Sequence, residues 1–240
     1  MSDAVLWQDV ECGSYAGDLE TWKQLAAAAP GPVLELGCGV GRVTLALARA
    51  GHRVTALDRD EELVTELRRR AGAEGLSVEV AAADAREFAL PGRFALIFGP
   101  MQLIHLLGGR EGRRSMLRCA ASHLAPRGRI AVALLAGDAA SAVGTPPPLP
   151  DVLETDGWVY SSLPIEVRRT NGGLEVRRLR QAVSPNGELS EELDVTTLDE
   201  VTPAQLEAEA IDCGLRPTGR LEIPETADHV GSTVVLLEGA

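Results

Sequence analysis

The sequence predicts an α/β fold: a mostly parallel β-sheet flanked by helices, with an antiparallel β-meander inserted late in the chain. Three observations lead there. Between residues 33 and 135, short apolar runs alternate with amphipathic segments, the pattern of βαβ units. A glycine-rich turn joins the first apolar run to the first amphipathic segment. After Leu135 the alternation stops, and turn-forming clusters separate three extended stretches.

The strands expected in the first part are Val33–Leu36, Arg53–Leu57, Ser77–Ala82, Phe94–Phe98 and Arg129–Leu135, with helices such as Arg42–Ala50 and Glu61–Ala71 between them. Right-handed crossovers then fix most of the topology. Residues 136–150, AGDAASAVGTPPPLP, read as a linker. Residues 157–198 read as three antiparallel strands, turning at Asn171-Gly172-Gly173 and at Ser184-Pro185-Asn186-Gly187. Thr202-Pro203 starts a helix, with Thr202 as N-cap and proline in the first turn, and Gly214 ends it. Strands near Arg216–Ile223 and Val230–Leu237 close the chain. We read residues 1–240 as a single domain, with residues 151–200 as an inserted meander or lid.

With Lys+Arg 23 against Asp+Glu 35, the net charge is −12. This disfavours broad binding to nucleic-acid backbones and to anionic membranes, both of which need basic residues. Hydrophobic residues make up 45% of the chain, enough for a real core. The acidic start is unlike a secretory leader, and the stretch from Phe94 to Leu107 is too short to span a bilayer. A cytoplasmic protein is the expectation. Cys12, Cys38, Cys119 and Cys213 are scattered with no CxxC pair, which points to no metal site and no disulfide framework.

The strongest local signal is Val33-Leu34-Glu35-Leu36-Gly37-Cys38-Gly39-Val40-Gly41-Arg42. Glycines permit positive φ and close approach of a ligand to the backbone. The following helix N-terminus offers free N–H groups to an anionic group. Asp58 ends the next strand, about 20 residues on, where a ribose hydroxyl pair is held in such folds. It also has Glu61 as a capping-box partner. Asp84 follows the third strand in the same way, with Glu87 as its capping partner. In the dinucleotide fingerprint G-x-G-x-x-G, the third position falls on Arg42, whose bulk argues against a nicotinamide-dependent oxidoreductase.

The E-x-G-x-G-x-G spacing, the two acids, Asp84-Ala85 and the segment His123-Leu124-Ala125-Pro126-Arg127-Gly128-Arg129 together resemble the class I S-adenosylmethionine-dependent methyltransferases. The resemblance covers about residues 10–238. It implies a Rossmann-like, seven-stranded, mostly parallel sheet. It also implies S-adenosyl-L-methionine as cofactor, with S-adenosyl-L-homocysteine as product. Carried over residue by residue, it places Gly37, Gly39 and Gly41 along the cofactor and Asp58 on the ribose, with Arg59 beside it. Asp84 and Ala85 face the adenine, Glu35 braces the loop, Gly99 lies near the reacting end, and Tyr15 closes over the cofactor.

Gly99-Pro100-Met101 lacks the acidic or amide side chain and the aromatic ring that nucleobase-amine methylases carry there, so a small-molecule acceptor is expected. Oxygen or nitrogen is the expected acceptor atom, with carbon as a further possibility. His105 follows the fourth strand and has a pKa suited to a general base, which makes it the candidate catalytic residue. His229 precedes the last strand and reads as a turn histidine, with a place facing the pocket as the alternative. Arg168, Arg169, Arg177, Arg178 and Arg180 cluster in the meander. They either attract an anionic acceptor or pair across strands with Glu188, Glu191, Glu192 and Asp194. A non-catalytic S-adenosylmethionine-binding module is the main alternative function. The chain is expected to be a monomer or a homodimer.

Overall fold

The computed structural model describes residues 2–136, 149–226 and 229–240. Most of the linker expected over 136–150 therefore lies outside the described residues. The chain opens with two helices, α1 (Asp3–Cys12) and α2 (Leu19–Ala28). The alternating part follows: β1 (Val33–Leu36), α3 (Arg42–Arg49), β2 (Val54–Asp58), α4 (Glu61–Ala73), β3 (Val78–Ala82), β4 (Phe94–Gly99), a short 3-10 turn (Leu103–Leu106), α5 (Gly109–Ser122) and β5 (Leu124–Leu135). The remainder is β6 (Asp151–Thr155), β7 (Trp158–Thr170), β8 (Gly173–Val183), β9 (Leu189–Leu198), α6 (Pro203–Asp212), β10 (Leu215–Ile223) and β11 (Ser232–Gly239).

Seven strands form one sheet in the order β10-β11-β5-β4-β1-β2-β3. β11 runs antiparallel to both its neighbours, and the pairs β4–β5, β1–β4, β1–β2 and β2–β3 are parallel. β1 and β4 are fully buried along their lengths, as strands covered on both faces must be. One core layer packs Leu36, Ile97, Met116, Leu117 and Ile130 beneath α5 and α6. The other packs Trp22, Val43, Leu47 and Phe98 beneath α2 and α3, with Trp22 stacked on Phe98 at 5.4 Å between ring centroids. Strand order reverses between β1 and β4, so the C-terminal ends of β1, β2 and β4 surround the switch point where such sheets bind ligands.

The expected strands all form, with differences that have physical causes. β5 begins at Leu124 rather than Arg129, because the pairing with β4 resumes across a bulge at Pro126-Arg127, where Arg127 has φ 64°. The meander has four strands, not three, in the order β6-β7-β8-β9. The added strand β6 is joined to β7 by Asp156-Gly157, both at positive φ (51° and 78°). An Asp-Gly pair in that conformation makes a two-residue hairpin turn matched to strand twist. Thr202 caps α6 in a full capping box with Gln205, with Pro203 in the first turn.

Candidate functional site

The glycine loop is built as its sequence requires. Gly37, Gly39 and Gly41 have φ of 67°, 53° and 96°, a region that L side chains avoid. Their neighbourhoods separate their roles. A Cβ on Gly37 would lie 3.0 Å from the Leu103 side chain, and one on Gly99 would lie 2.9 Å from it. The two glycines thus leave room for Leu103 at the switch point. A Cβ on Gly39 would lie 2.7 Å from Gln8 Nε2, which brings α1 over the loop. A Cβ on Gly41 would lie 2.2 Å from Leu67 Cδ1. Gly41 is therefore fixed by packing against α4, the role that the dinucleotide fingerprint gives to its third glycine.

Glu35 is buried at the end of β1, where Thr44 of α3 donates its hydroxyl to Oε2. Burial pushes its carboxyl up to about 8, and the bond from Thr44 and the charge of Arg42 oppose this only in part. It ties β1 to α3 beneath the loop.

Asp58 ends β2 and turns toward the loop: Oδ2 accepts from Gly39 N–H at 2.9 Å, and Oδ1 accepts from Asp60 N–H at 3.0 Å. It is not the cap of the next helix. Asp60 caps α4 by accepting from Glu62 N–H at 2.9 Å and Leu63 N–H at 3.4 Å. The reason is positional, since α4 starts at Glu61 and only its immediate predecessor reaches the free N–H groups. No helix follows Asp84 either. Its carboxylate accepts from Arg86 N–H at 2.8 Å and pairs with the Arg86 guanidinium at 2.6 Å, which holds it below the usual carboxylate range. Ala83 N–H donates to Asp58 O at 2.8 Å, tying together the ends of β2 and β3. Ala85 is buried in the core, and Arg59 is exposed.

Tyr15 is buried where the N-terminal segment crosses the start of α3. Arg42 donates to the Tyr15 carbonyl at 2.9 Å, holds Asp18 through two bonds of 2.5 and 2.8 Å, and lies 5.0 Å from the Tyr15 ring centre. Trp22 Nε1–H also donates to Asp18 at 2.9 Å. On its other side the Tyr15 ring stacks on His229 at 4.6 Å. The sequence reading missed two of these relations. Arg42, taken there only as an obstruction, is the clamp that fastens the N-terminal segment. His229, taken as a turn residue, joins Tyr15.

His105 has a different role from the one expected. Its ring is buried, Nδ1 donates to Asp199 O at 2.7 Å, and Nε2 accepts from Leu135 N–H at 3.1 Å. One neutral tautomer satisfies both bonds, and no ring nitrogen is left to take a proton from an acceptor. Burial pushes its pKa down. His105 staples the end of β5 to the segment that leaves the meander.

The meander arginines are also committed. Arg168 pairs with Glu175, Arg169 with Glu200, and Arg177 with Glu166. Arg178 pairs with Asp151 and with Glu11 of α1, and Arg180 with Glu11 and Asp194. Of the expected cross-strand partners, Asp194 is engaged, while the largest share falls to residues outside β9.

These residues fit a cofactor with a ribose and a polar tail. A carboxylate stands at the end of β2 against a loop of three glycines at positive φ. Comparison with known proteins agrees. Residues 33–128 match a family described as a methyltransferase domain. Comparison with curated protein sequences finds no match. Among solved structures, the methyltransferase CcbJ from Streptomyces caelestis is similar over 95% of this chain and 92% of its own, at 23% identity and TM-score 0.74. The amino pentose methyltransferase CalS10 from Micromonospora echinaspora, solved with S-adenosylmethionine bound, is similar over 98% of both chains at 18% identity and TM-score 0.75. The sugar N-methyltransferase KedS8 from Streptoalloteichus is similar over 98% of this chain and 92% of its own, at 16% identity and TM-score 0.76.

Residues 33–128 thus match a methyltransferase domain, and the chain as a whole has the fold of these methyltransferases. Among the described residues, no helix is long and apolar enough to cross a membrane.

Proposed function

We propose that this enzyme methylates a nitrogen or oxygen of a small-molecule acceptor, and that a sugar-borne amine is the first class to test. CalS10 and KedS8 support that order, being described as amino pentose and sugar N-methyltransferases. The observation that carries the reading is the Tyr15–His229 stack, set against the Arg42–Asp18 pair at the start of α3. The stack lies against Arg42, the first residue after the glycine loop, which supports a phenol and an imidazole at the reacting end of the cofactor.

The bound cofactor supplies an electrophilic methyl group; the residues of the chain hold, orient and exclude water. Asp58 receives the ribose hydroxyls on lone pairs not used by Gly39 and Asp60. Asp84 and Ala85 take the adenine end, with Arg59 at its rim. Gly37, Gly39 and Gly99 line the cofactor, with Leu103 and Gln8 as their side-chain neighbours, and Gly41 keeps the loop pressed on α4. Glu35 braces the loop from below. Tyr15 closes the site from the N-terminal side, and His229 accepts the proton that a nitrogen or oxygen nucleophile gives up. Such a base contributes roughly 10²–10⁴-fold, and alignment of the acceptor contributes roughly 7–11 kcal/mol.

Because the meander arginines are ion-paired, an anionic acceptor has no open guanidinium among them, and a neutral or cationic acceptor fits better.

Calorimetric titration with S-adenosylmethionine, S-adenosylhomocysteine and NAD, followed by mass spectrometry of amino-sugar and hydroxylated acceptors, tests the reading. Binding of the first two with methylation of one acceptor class supports it. Binding without turnover of any acceptor returns the chain to a non-catalytic binding module. Tyr15→Phe and His229→Ala should lower kcat, with less effect on cofactor affinity. Unchanged turnover in both would remove them from the site.

A further inference from the structure

Arg178 of β8 ties a knot of side chains between the meander and the N-terminal segment. Its guanidinium pairs with Asp151, donates from Nε to Ser162 Oγ at 2.8 Å, and stands 3.5 Å from Glu11 of α1. Ser162 is fully buried and donates its own hydroxyl to Glu11 at 2.8 Å. The arginine is thus held in one orientation, and what it positions is Asp151, the first residue of β6. The Asp151 side chain is 19% exposed. Its Oδ2 faces Arg178, and its Oδ1 has no hydrogen-bond partner among the described residues.

The knot reaches the Tyr15–His229 stack. The charges of Arg42, Arg178 and Asp151 all act on Cys12, at the end of α1. Tyr15 N–H donates back to Cys12 O at 3.2 Å, and the Tyr15 ring stacks on His229. The charge of His229 in turn acts on Asp151. A carboxylate from the meander therefore stands within electrostatic reach of the imidazole, on a different element from it.

The charges of this cluster leave a place for a cation. Its guanidinium groups are those of Arg42, Arg178 and Arg180. They serve four carboxylates, Asp18, Glu11, Asp151 and Asp194, which leaves the cluster one positive charge short. The shortage falls on Asp151, where burial holds the carboxyl above the usual carboxylate range although Arg178 opposes this. A desolvated carboxylate in that condition gains from an incoming opposite charge more than a solvated one does. An ammonium group brings that charge together with three N–H donors, while a hydroxyl brings one donor and no charge.

We infer that Asp151 is the residue that selects an amine over a hydroxyl acceptor: its Oδ1 takes an N–H of the acceptor's ammonium group, beside the His229 imidazole, while Arg178 keeps that oxygen aimed. The inference rests on the function proposed above and narrows it. It also gives the buried pairing of Arg178 a use. A guanidinium spent on Ser162 and Asp151 attracts no anion, but it fixes the carboxylate that receives a cation. Charge-assisted bonds of this kind are the strong ones, and they discriminate by leaving a buried charge unpaired when the wrong group enters.

The test compares amino sugars with the same sugars bearing a hydroxyl in place of the amine, on the full chain at neutral pH. With S-adenosylhomocysteine bound, calorimetry on the parent should find the amine bound about 10-fold or more tightly than its hydroxyl counterpart. Asp151→Asn should weaken the amine about 10–100-fold and the hydroxyl sugar far less, with the affinity for S-adenosylmethionine kept. Asp151→Glu, which keeps the charge, should restore part of the preference. A merely structural role would weaken both sugars alike, so a parallel loss overturns the inference. Equal binding of the two sugars to the parent also overturns it, and that measurement stands even if Asp151→Asn fails to fold. Turnover of hydroxylated acceptors alone overturns it and leaves the proposed function intact. Binding of S-adenosylmethionine without turnover of either class overturns the function itself, and the inference with it.

Discussion

The glycine loop and the meander solve the problem of holding a side chain in place in opposite ways. In the loop, backbone conformation does the holding: three glycines at positive φ within five residues, a strand before them and a helix after. In the meander, long-range charge pairs do it: Glu11 of α1 reaches Arg178 and Arg180, more than 160 residues along the chain. A local device is written in adjacent letters and tolerates little change. A distributed device is spread over many weak contacts and degrades gradually. In the function proposed above, the cofactor lies against the first.

The sharpest way to break the comparison is Gly41→Val. The backbone there has φ 96°, and the new Cβ would meet Leu67 Cδ1 at 2.2 Å. Strain and overpacking add, so a loss of about 3 kcal/mol or more is expected. Denaturant unfolding followed by circular dichroism measures it. A loss under about 1 kcal/mol would show that the loop, too, is held by distributed contacts.

Asp58→Asn comes next and acts on binding. The amide keeps one acceptor oxygen for the loop but replaces the other with a donor and removes the charge. Hydrogen bonds to charged groups contribute about 1.5–3 kcal/mol, so affinity for S-adenosylmethionine should fall about 10–100-fold. Calorimetry measures it, and undiminished affinity would remove Asp58 from the ribose position.

What could be read ahead of the structure follows the same division. β1, α3 and the N-cap of α6 were legible because each depends on residues within one or two turns of itself. Asp156-Gly157 was equally legible as a hairpin turn, and passing over it cost the strand β6. His105 was misjudged because the sequence shows that a histidine follows β4. It does not show that Asp199 O and Leu135 N–H wait on either side of the ring. Those partners come from the end of β9 and the end of β5. Arg42 and His229 were undervalued for the same reason: Asp18, Tyr15 and His229 meet only once α2, α3 and the loop before β11 converge. No spacing within any one of these segments encodes that meeting.

Glu35→Gln sharpens the contrast through pH. Burial raises the Glu35 carboxyl from about 4.5 in a solvated chain to about 8 in the fold. Between those values the folded state binds more protons than the unfolded one, so stability contributed by this group falls as pH rises. Thermal midpoints of the parent should therefore decline from pH 5 to pH 8. In Glu35→Gln that part of the decline should vanish, because the amide does not titrate. Equal slopes in both proteins would mean that Glu35 keeps its charge in the fold and that Arg42 or Thr44 outweighs its burial.

The smallest effect is expected from Glu11→Gln, and its smallness is the point. Glu11 holds Arg180 at 2.8 Å with side chains that remain partly solvated, and it also accepts from the buried Ser162 hydroxyl at 2.8 Å. Pairs of that kind contribute about 1 kcal/mol or less. Asp9 still binds Arg70 on α4, and Trp7 still meets Tyr160, so α1 keeps two of its three attachments. Stability should barely move. The change should appear instead in kinetics: α1 carries Gln8 over Gly39, and a looser α1 should release S-adenosylmethionine a few-fold faster in stopped-flow displacement. If the off-rate stays the same while stability falls by several kcal/mol, α1 belongs to the rigid core, and the division drawn between the two regions is misplaced at that helix.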